Sequence, residues 1–361
     1  MKSPHWTVAC ALPLLAAAAG AAPAAPAEGV AYVTNQADGV SVIDLATLKT
    51  VRTIEVGKDP RGIGITPDGR LLVVANQADE DVSVVDTATG DTLHRIAVGK
   101  NAEFVRVGPT GAFAYVTYEP SSSGKPPSKE GEKAHSPSKA GNDEPPEAAE
   151  IAVIDLSKSS VSARLPASLE TEGMDFSPDG RQLVVANEGD DTVVVYDLAS
   201  GRVARKIDVA PYGKRPRGVK FAPDGSIVLV TLESSDNFLV LDARYDVVKA
   251  VATGKGPYGV AFEPGATHVW IAAARSEQVQ VLDAKTFAQV ASVPVGKRCW
   301  HFTFTPDGTK ALVACGRSDA VTVIDVPKLQ ALTTLTGFHQ PWGIVTYPKA
   351  SGSLDAPAAR H

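Results

Sequence analysis

Short apolar segments with strand-like alternation recur along the chain, and many of them end in aspartate. Seven such endings follow segments of the type VSVID or VTVID, at Asp44, Asp86, Asp155, Asp197, Asp242, Asp283 and Asp325. Their separations are 42, 69, 42, 45, 41 and 42 residues, so one interval is 27 residues longer than the common value of 42. A period of about forty residues with strand character is typical of β-propellers and similar repeat arrays.

One period contains four short strands. Between residues 57 and 98, strand patterns run over 61–66, 71–76, 82–86 and 92–98, and Pro67-Asp68-Gly69 forms a turn between the first two. The chain begins inside a repeat and ends with a first strand at 342–347, which we expect to complete the N-terminal blade and hide the open edges. The sequence therefore predicts an all-β fold, a seven-bladed β-propeller of four-stranded antiparallel blades over residues 28–349. The seven aspartates are expected to cap turn amides.

The long interval is explained by the segment 119–149, which contains six prolines and no Val, Ile, Leu, Phe, Tyr or Trp. Such a segment cannot bury enough apolar surface to fold, so it predicts a disordered insertion in the third blade. Its role, as padding or as a tether or partner-binding arm, stays open.

The two ends of the chain carry separate expectations. Residues 1–27 resemble a signal peptide, because Lys2 precedes an apolar stretch and Ala25-Pro26-Ala27 forms a cleavage pattern. We expect a periplasmic or secreted protein with no transmembrane segment in the mature chain, and a disordered C-terminal tail over 350–361. The formal net charge is only −6, and no cluster of Lys and Arg predicts nucleic-acid binding.

Differences between the repeats indicate where function could lie. Aligned on their turns, the first strands share a slot at the end opposite the turn, occupied by Arg61, Glu103, Glu172, Arg217, Tyr258, Trp300 and Trp342. Because first strands border the channel of a propeller, these side chains should ring one mouth. The next position is glycine in five repeats, which is expected to leave room at the rim, but Phe104 and His301 occupy it in the other two. His301 is the first candidate for proton transfer or ligand contact, since imidazole titrates near neutrality.

The predicted ligand-binding residues are Arg61, Arg217, Tyr258, Trp300, His301 and Trp342. Plain packing of the channel by the same residues is the alternative. No metal site is predicted, since His301 and His339 supply too few ligands. Cys299 and Cys315 are a disulfide candidate in an exported protein, and whether they are bonded stays open.

The repeats are recognisable as a family pattern. The strings AYVTNQADGVSVIDLATLKTVRTIEVGKDPRGIGITPDGRLLVVAN and AVTVIDVPKLQALTTL resemble the YVTN-family β-propeller repeat. More narrowly, GKRCWHFTFTPDG and HQPWGIVTYP are similar to seven-repeat propellers associated with catabolism of alcohols that depends on pyrroloquinoline quinone (PQQ). This resemblance implies an exported accessory protein encoded near quinoprotein dehydrogenases and periplasmic transport components, and a protein of either kind is a candidate partner. The cofactor stays open, with PQQ or a related planar anionic ligand as a candidate. The resemblance transfers no catalytic residues.

Several functions are consistent with this pattern. The first is a non-enzymatic propeller that binds a small ligand or partner protein at the mouth. The alternative is a propeller enzyme, either a lactonase-like hydrolase or a quinoprotein dehydrogenase component, that uses His301 with Glu103 or Glu172 for acid–base chemistry. A third is a structural platform that binds partners through the blade rims. Fold analogy does not choose among them.

Overall fold

The structure is a computed structural model that describes residues 1, 28–120 and 148–355. The predicted signal peptide beyond Met1, the insertion from 121 to 147 and the tail from 356 to 361 lie outside the described residues. Within them the chain forms seven four-stranded antiparallel sheets and two short 3-10 helices, Glu233–Ser235 and Gly316–Ser318. In this described part, no helix has the length and apolar character needed to cross a membrane.

The strands follow the repeat. Those of the first two blades are β1 Val30–Asn35, β2 Gly39–Asp44, β3 Lys49–Ile54, β4 Pro60–Ile65, β5 Leu71–Asn76, β6 Asp81–Asp86 and β7 Thr92–Ala97. Those of the third and fourth are β8 Ala102–Val107, β9 Phe113–Tyr118, β10 Glu150–Asp155, β11 Ser160–Pro166, β12 Thr171–Phe176, β13 Gln182–Asn187, β14 Thr192–Asp197 and β15 Arg202–Asp208. Those of the fifth and sixth are β16 Pro216–Phe221, β17 Ile227–Leu232, β18 Asn237–Asp242, β19 Val247–Ala252, β20 Pro257–Phe262, β21 His268–Ala273, β22 Gln278–Asp283 and β23 Gln289–Pro294. The last are β24 Cys299–Phe304, β25 Lys310–Cys315, β26 Ala320–Asp325, β27 Gln330–Thr336 and β28 Pro341–Tyr347.

The C-terminal strand closes the ring as predicted. Strand β28 pairs antiparallel with β1, with Val30 opposite Tyr347 and Val33 opposite Ile344, so that one sheet has the order β28-β1-β2-β3. The predicted seven-bladed, four-stranded propeller is therefore confirmed.

Burial explains the position of each strand in its blade. The inner strands β4, β8 and β12 are buried along their whole length, whereas the outer strands β3 and β15 are mostly exposed. Apolar side chains of one blade pack on the next, as Val73 and Val84 do with Val105 and Val116. Each blade thus buries both faces against its neighbours, which is how a repeat array builds one continuous core.

The strand-ending aspartates cap turns, as the sequence predicts. Asp86 Oδ1 accepts the amides of Ala88 at 2.8 Å and Thr89 at 3.1 Å. The same kind of contact to a following backbone amide occurs at Asp44, Asp155, Asp197, Asp242, Asp283 and Asp325. Their regularity therefore reflects turn chemistry on the face that also carries the Pro-Asp-Gly turns.

The prediction of a disordered tail is wrong for residues 350–355. This segment continues beyond β28 and runs along the inner strand β24, where the Ser353 amide donates to Phe302 O at 2.9 Å and the Phe304 amide to Ser351 O at 2.9 Å. Arg106 Nη2 donates to Ser353 O at 3.1 Å, and Lys220 Nζ donates to Asp355 O. The polar tail is ordered because it supplies hydrogen-bond partners to charged side chains that the inner strands bury.

Candidate functional site

The mouth is the end of the central channel opposite the Pro-Asp-Gly turns. In all seven sheets the register between the first two strands shifts near this end, for example between Pro60 and Ile63 in β4 and between Pro216 and Val219 in β16. Each shift is a β-bulge that contains the slot residue predicted from the sequence. Bulges leave a residue outside the ladder and re-aim its side chain, which allows the slot residues to meet one another.

The glycines that follow the slot residues do not leave open room at the rim, so that expectation is wrong. A Cβ on Gly218 would lie 2.3 Å from the carbonyl oxygen of Tyr258, and one on Gly62 would lie 2.4 Å from that of Glu103. In both cases the carbonyl belongs to the slot residue of the next blade. Glycine is therefore needed for the close approach of adjacent inner strands.

Arg61 and Glu103 form a buried ion pair on one side of the mouth. Arg61 Nη1 donates to Glu103 Oε1 at 2.6 Å, and the residues are 8% and 4% exposed. Gln77 Nε2 lies 3.5 Å from the other carboxylate oxygen of Glu103. Ion pairs with so little solvent access need such additional partners to offset the desolvation of both charges.

Arg217 is surrounded by acidic side chains on the opposite side. Its Nη1 contacts Glu172 and lies 2.5 Å from Glu188 Oε2, while Nε donates to Glu233 Oε2 at 2.9 Å. The guanidinium also lies over the ring of Tyr258, with its Cζ 4.9 Å from the ring centroid. Burial alone would raise the pKa of Glu233, but Arg217 and the other nearby arginines lower it to about 2. Arg217 thus joins three carboxylates and an aromatic ring into one network.

Two further arginines extend this network. Arg215 contacts Glu188 and lies 3.6 Å from Glu233, and Arg298 Nη1 lies 3.5 Å from Glu233. Despite these cations, burial together with the neighbouring charges of Glu233 and other acids raises the pKa of Glu188 well above its ordinary value. Burial is the main cause of the raised pKa of Glu188, and Arg215 offsets part of it.

Glu119 joins the two sides. One carboxyl oxygen of Glu119 lies within 4.8 Å of one from Glu103 and one from Glu172. Glu119 is 5% exposed, and its Oε1 has no hydrogen-bond partner among the described residues. Burial raises the pKa of Glu119 well above its ordinary value, and the adjacent Glu103 carboxylate raises it further. Both effects favour the protonated form of Glu119 relative to that of an exposed glutamate.

The three carboxyl groups are also close enough to bind one cation, although the sequence predicts no metal site. Arg61 and Arg217 already contact Glu103 and Glu172, however. The cluster can therefore balance its charge with two guanidinium groups and a proton on Glu119.

His301 does not take the role that the sequence suggests. It is 1% exposed, its Nδ1 lies 3.1 Å from Ser353 Oγ, and its Nε2 has no hydrogen-bond partner among the described residues. Burial lowers the pKa of His301 well below its ordinary value, with further contributions from two arginines. Among the described residues, the predicted pairing of His301 with Glu103 or Glu172 is therefore wrong.

The predicted aromatic surface is mostly interior. Trp342 is 2% exposed and packs against His301, with ring centroids 4.4 Å apart. Tyr258 is also buried, and its hydroxyl lies 3.3 Å from Glu172 Oε2. Trp300 is partly exposed and lies across Gly316, where a Cβ would come within 1.8 Å of its Cζ3. Of these three rings, Trp300 is the one that solvent can reach.

A disulfide lies beside Trp300. Cys299 and Cys315, neighbours across β24 and β25, are bonded in the structure. It fixes the strand ends that flank Trp300 and Gly316, so this edge of the mouth is held covalently.

Sequence reasoning brought together Arg61, Glu103, Glu172, Arg217 and Tyr258 but missed the second layer of acids. These lie directly after the second strand of each blade, in a position occupied by Gln36, Gln77, Glu119, Glu188, Glu233, Ala274 and Gly316. Aligning the repeats on this position would have revealed three consecutive glutamates. Glu119 was overlooked because it is also the first residue of the polar insertion.

Comparisons with known proteins extend the description of this chain. The profile of the family described as lactonase, 7-bladed β-propeller, matches residues 149–247. That range contains Glu172, Glu188, Arg215, Arg217 and Glu233 of the mouth. No curated protein sequence matches the chain.

Solved structures share the fold at low sequence identity. The periplasmic gluconolactonase PpgL of Pseudomonas aeruginosa is 18% identical with a TM-score of 0.70, over 88% of this chain and 98% of that one. A Bacteroides uniformis protein described as a 6-phosphogluconolactonase candidate is 14% identical with a TM-score of 0.69, over 88% and 99%. Hydrazine synthase of Kuenenia stuttgartiensis is 23% identical with a TM-score of 0.67, over 81% and 91%. At these identities the likeness establishes the propeller fold, and the link to PQQ-dependent catabolism stays a prediction.

Proposed function

We propose that this chain is a lactonase-like hydrolase that opens a lactone ring at the mouth of the propeller, with Glu119 as its general acid. The observation that carries the proposal is the buried carboxyl of Glu119, whose Oε1 has no partner among the described residues and whose pKa is raised well above the ordinary value. A catalytic acid works best when its pKa approaches the working pH. Burial beside Glu103 moves Glu119 in that direction.

The surrounding residues supply the remaining chemistry. Water adds to the lactone carbonyl and gives a proton to Glu103, which forms a tetrahedral intermediate with a negative charge on the former carbonyl oxygen. The bond between the acyl carbon and the ring oxygen then breaks, and Glu119 protonates that oxygen to form the free hydroxyl. Transfer of the proton from Glu103 back to Glu119 restores the starting state, and the hydroxy acid product ionises in water.

The comparisons support this function over the binding-protein hypothesis. The lactonase-family match covers five of the charged mouth residues, and two structural neighbours are described as a gluconolactonase and a 6-phosphogluconolactonase candidate. The signal-like N-terminus and the periplasmic neighbour support action in the periplasm. The domain limits expected from the sequence are retained in this proposal, except that the propeller extends through Asp355.

The decisive experiment measures acid release from glucono-1,5-lactone by the purified protein, corrected for spontaneous hydrolysis. We expect turnover by the wild type and a loss of kcat of about 100-fold or more in Glu119→Gln, because a positioned acid contributes 10²–10⁴-fold. Glu277→Gln removes an exposed carboxyl group at the end of another blade and should leave the rate unchanged. A wild-type rate no higher than that of Glu119→Gln would refute the proposal.

A further inference from the structure

We propose that the mouth selects uncharged, hydroxyl-rich lactones and discriminates against lactones that carry a phosphate or carboxylate group. This inference rests on the proposed hydrolase function and adds the class of its substrate. The two lactonase neighbours do not decide the question, since one description names gluconolactone and the other its 6-phosphate.

The first argument is that the arginines of the mouth already have acidic partners. Arg61 contacts Glu103, and Arg217 contacts three glutamates. Arg215 contacts Glu188, and Arg298 lies 3.5 Å from Glu233. Recognition of a phosphate needs guanidinium groups that can turn their paired donors toward it. Here a phosphate would have to displace a buried carboxylate, which would then be left without its partner.

The second argument is the balance of charge. The buried or half-buried acids of the mouth are Asp59, Glu103, Glu119, Glu170, Glu172, Glu188 and Glu233, and the corresponding arginines are Arg61, Arg215, Arg217 and Arg298. Seven carboxyl groups against four guanidinium groups leave an excess of three acids. Burial is the main cause of the raised pKa values of Asp59, Glu119 and Glu188, and neighbouring acids raise each of them further. An anion entering the mouth would therefore find no guanidinium group in excess of the carboxyl groups, and each excess carboxyl group that is ionised would repel it.

The third argument concerns the groups that can still contact a ligand. Glu119 Oε1 is without a partner among the described residues, and the ring of Trp300 is partly exposed. A carboxyl oxygen pairs well with a hydroxyl group, and an aromatic face packs against an apolar ring surface. These two features match a neutral sugar-like ring better than an anion.

The lysines of the outer rim do not reverse this preference. Lys58 and Lys297 are exposed and stand in the loops that lead into the inner strands. Exposed charges are screened by salt and contribute little to binding energy. The excess of acid also has a consequence for turnover, because hydrolysis creates a carboxylate that the mouth should expel.

The test compares kcat/KM of the purified protein for glucono-1,5-lactone and for its 6-phosphate at low salt. We expect kcat/KM to be about tenfold or more higher for the uncharged lactone, because like-charge contacts strongly suppress a wrong ligand. An equal or higher value for the phosphate would overturn the inference while leaving the hydrolase function intact. Hydrolysis of neither lactone above the Glu119→Gln rate would instead refute the function itself.

A variant and a series of salt concentrations test whether the charges of the mouth cause the preference for the uncharged lactone. Glu188→Gln replaces a carboxyl partner of Arg215 and Arg217 with a neutral amide, which leaves both guanidinium groups more available to a phosphate, so it should narrow the ratio of kcat/KM between the two lactones several-fold. Glu277→Gln is the matched control and should leave the ratio unchanged. If Glu188→Gln does not fold, raising the salt concentration should narrow the wild-type ratio of kcat/KM, because salt screens the repulsion that a phosphate meets in solvent as it approaches the mouth. If neither change alters the ratio of kcat/KM between the two lactones, the preference for the uncharged lactone does not have an electrostatic origin.

Discussion

Glu119 and Glu103 lie side by side in the mouth, each with a carboxyl oxygen within 4.8 Å of the other. Arg61 donates to Glu103 at 2.6 Å and compensates its charge, whereas Glu119 Oε1 has no such partner among the described residues. Two buried carboxylates this close do not both ionise readily. Burial and the adjacent Glu103 therefore raise the pKa of Glu119 well above its ordinary value.

The first prediction is that Glu119 makes stability fall as pH rises. Its pKa in the folded protein is raised above the ordinary value of 4.5, so between these two values the folded protein binds more protons than the unfolded chain. The free energy of unfolding then decreases with rising pH. Glu119→Gln cannot lose a proton and should flatten this decrease, with about 1.4 kcal/mol for each pKa unit of difference.

Urea denaturation at several pH values between 5 and 9 measures this effect. Glu277→Gln, which changes an exposed carboxyl group, should keep the wild-type slope. If the free energy of unfolding of Glu119→Gln depends on pH as steeply as that of the wild type, the pKa of Glu119 is not raised in the folded protein.

The second prediction is that His301 is dispensable for hydrolysis. Burial lowers the pKa of His301 well below 6.5, so the folded state binds fewer protons than the unfolded chain at acid pH. The wild type should therefore lose stability as pH falls below about 6.5. His301→Phe should remove this loss, keep kcat/KM within about threefold and leave the pH–rate profile unchanged, because the ring contacts no mouth carboxylate and is surrounded by Trp342, Tyr258 and Phe104.

Kinetics and acid denaturation of His301→Phe separate a role of His301 in hydrolysis from its effect on stability at acid pH. A shift of the pH–rate profile in His301→Phe would restore the imidazole to the mechanism. Ser353→Ala removes the contact with Nδ1 together with the hydrogen bonds between Ser353 Oγ and the backbone of Phe302, and it serves as a control for the loss of these polar contacts.

The fold could be predicted from the sequence because the same pattern of strands and turns occurs in seven repeats. Period, turn and strand pattern agree from Asp44 to Asp325, so local errors in one blade are corrected by the others. The C-terminal segment was predicted wrongly because it occurs once. Its order depends on contacts of Ser353 and Asp355 with the distant Arg106 and Lys220, which no local pattern reveals.

The site was predictable only in part, for a related reason. The slot residues share a repeat position, and in the structure Arg61 contacts Glu103 and Arg217 contacts Glu172. Burial lowers the pKa of His301. A repeat alignment shows which blade and which strand position a residue occupies, but it does not show how far the side chain is buried. Partners such as Glu119 come from a second position in the repeat, and their importance follows from distances between blades.

The third prediction concerns the glycine after Arg217. A Cβ on Gly218 would lie 2.3 Å from the backbone oxygen of Tyr258 and 3.0 Å from Thr231 Oγ1, which donates to that same oxygen at 2.7 Å. Since backbone atoms of two blades must separate to relieve the clash, Gly218→Ala should lower the free energy of unfolding by about 2 kcal/mol or more. Thermal or urea denaturation measures this loss.

Gly108 offers a matched control. It is also buried, but a Cβ there would meet its nearest atom, Phe113 O, at 3.3 Å. Gly108→Ala should therefore cost much less than Gly218→Ala. Similar costs for the two would show that the blades are not held as closely as the structure indicates.

The fourth prediction is that the C-terminal segment stabilises the channel. A chain that ends at Pro348 loses the contacts of Arg106 with Ser353 and of Lys220 with Asp355. Burial lowers the pKa of Lys220 to about 8, so this amine is already costly to keep charged. Removing its partner should reduce the free energy of unfolding by about 2 kcal/mol or more, because a buried polar group left unsatisfied costs 1–3 kcal/mol.

The control is a chain that ends at Asp355, which keeps every contact described for the segment. Its urea midpoint should equal that of the full chain, whereas the chain ending at Pro348 should unfold at lower urea. Lys220→Met in the shorter chain removes an amine that has lost Asp355 O but still lies 3.8 Å from Asp175 Oδ2, so it should recover at most part of the loss. Equal midpoints for all three lengths would mean that water replaces the contacts of the segment without cost.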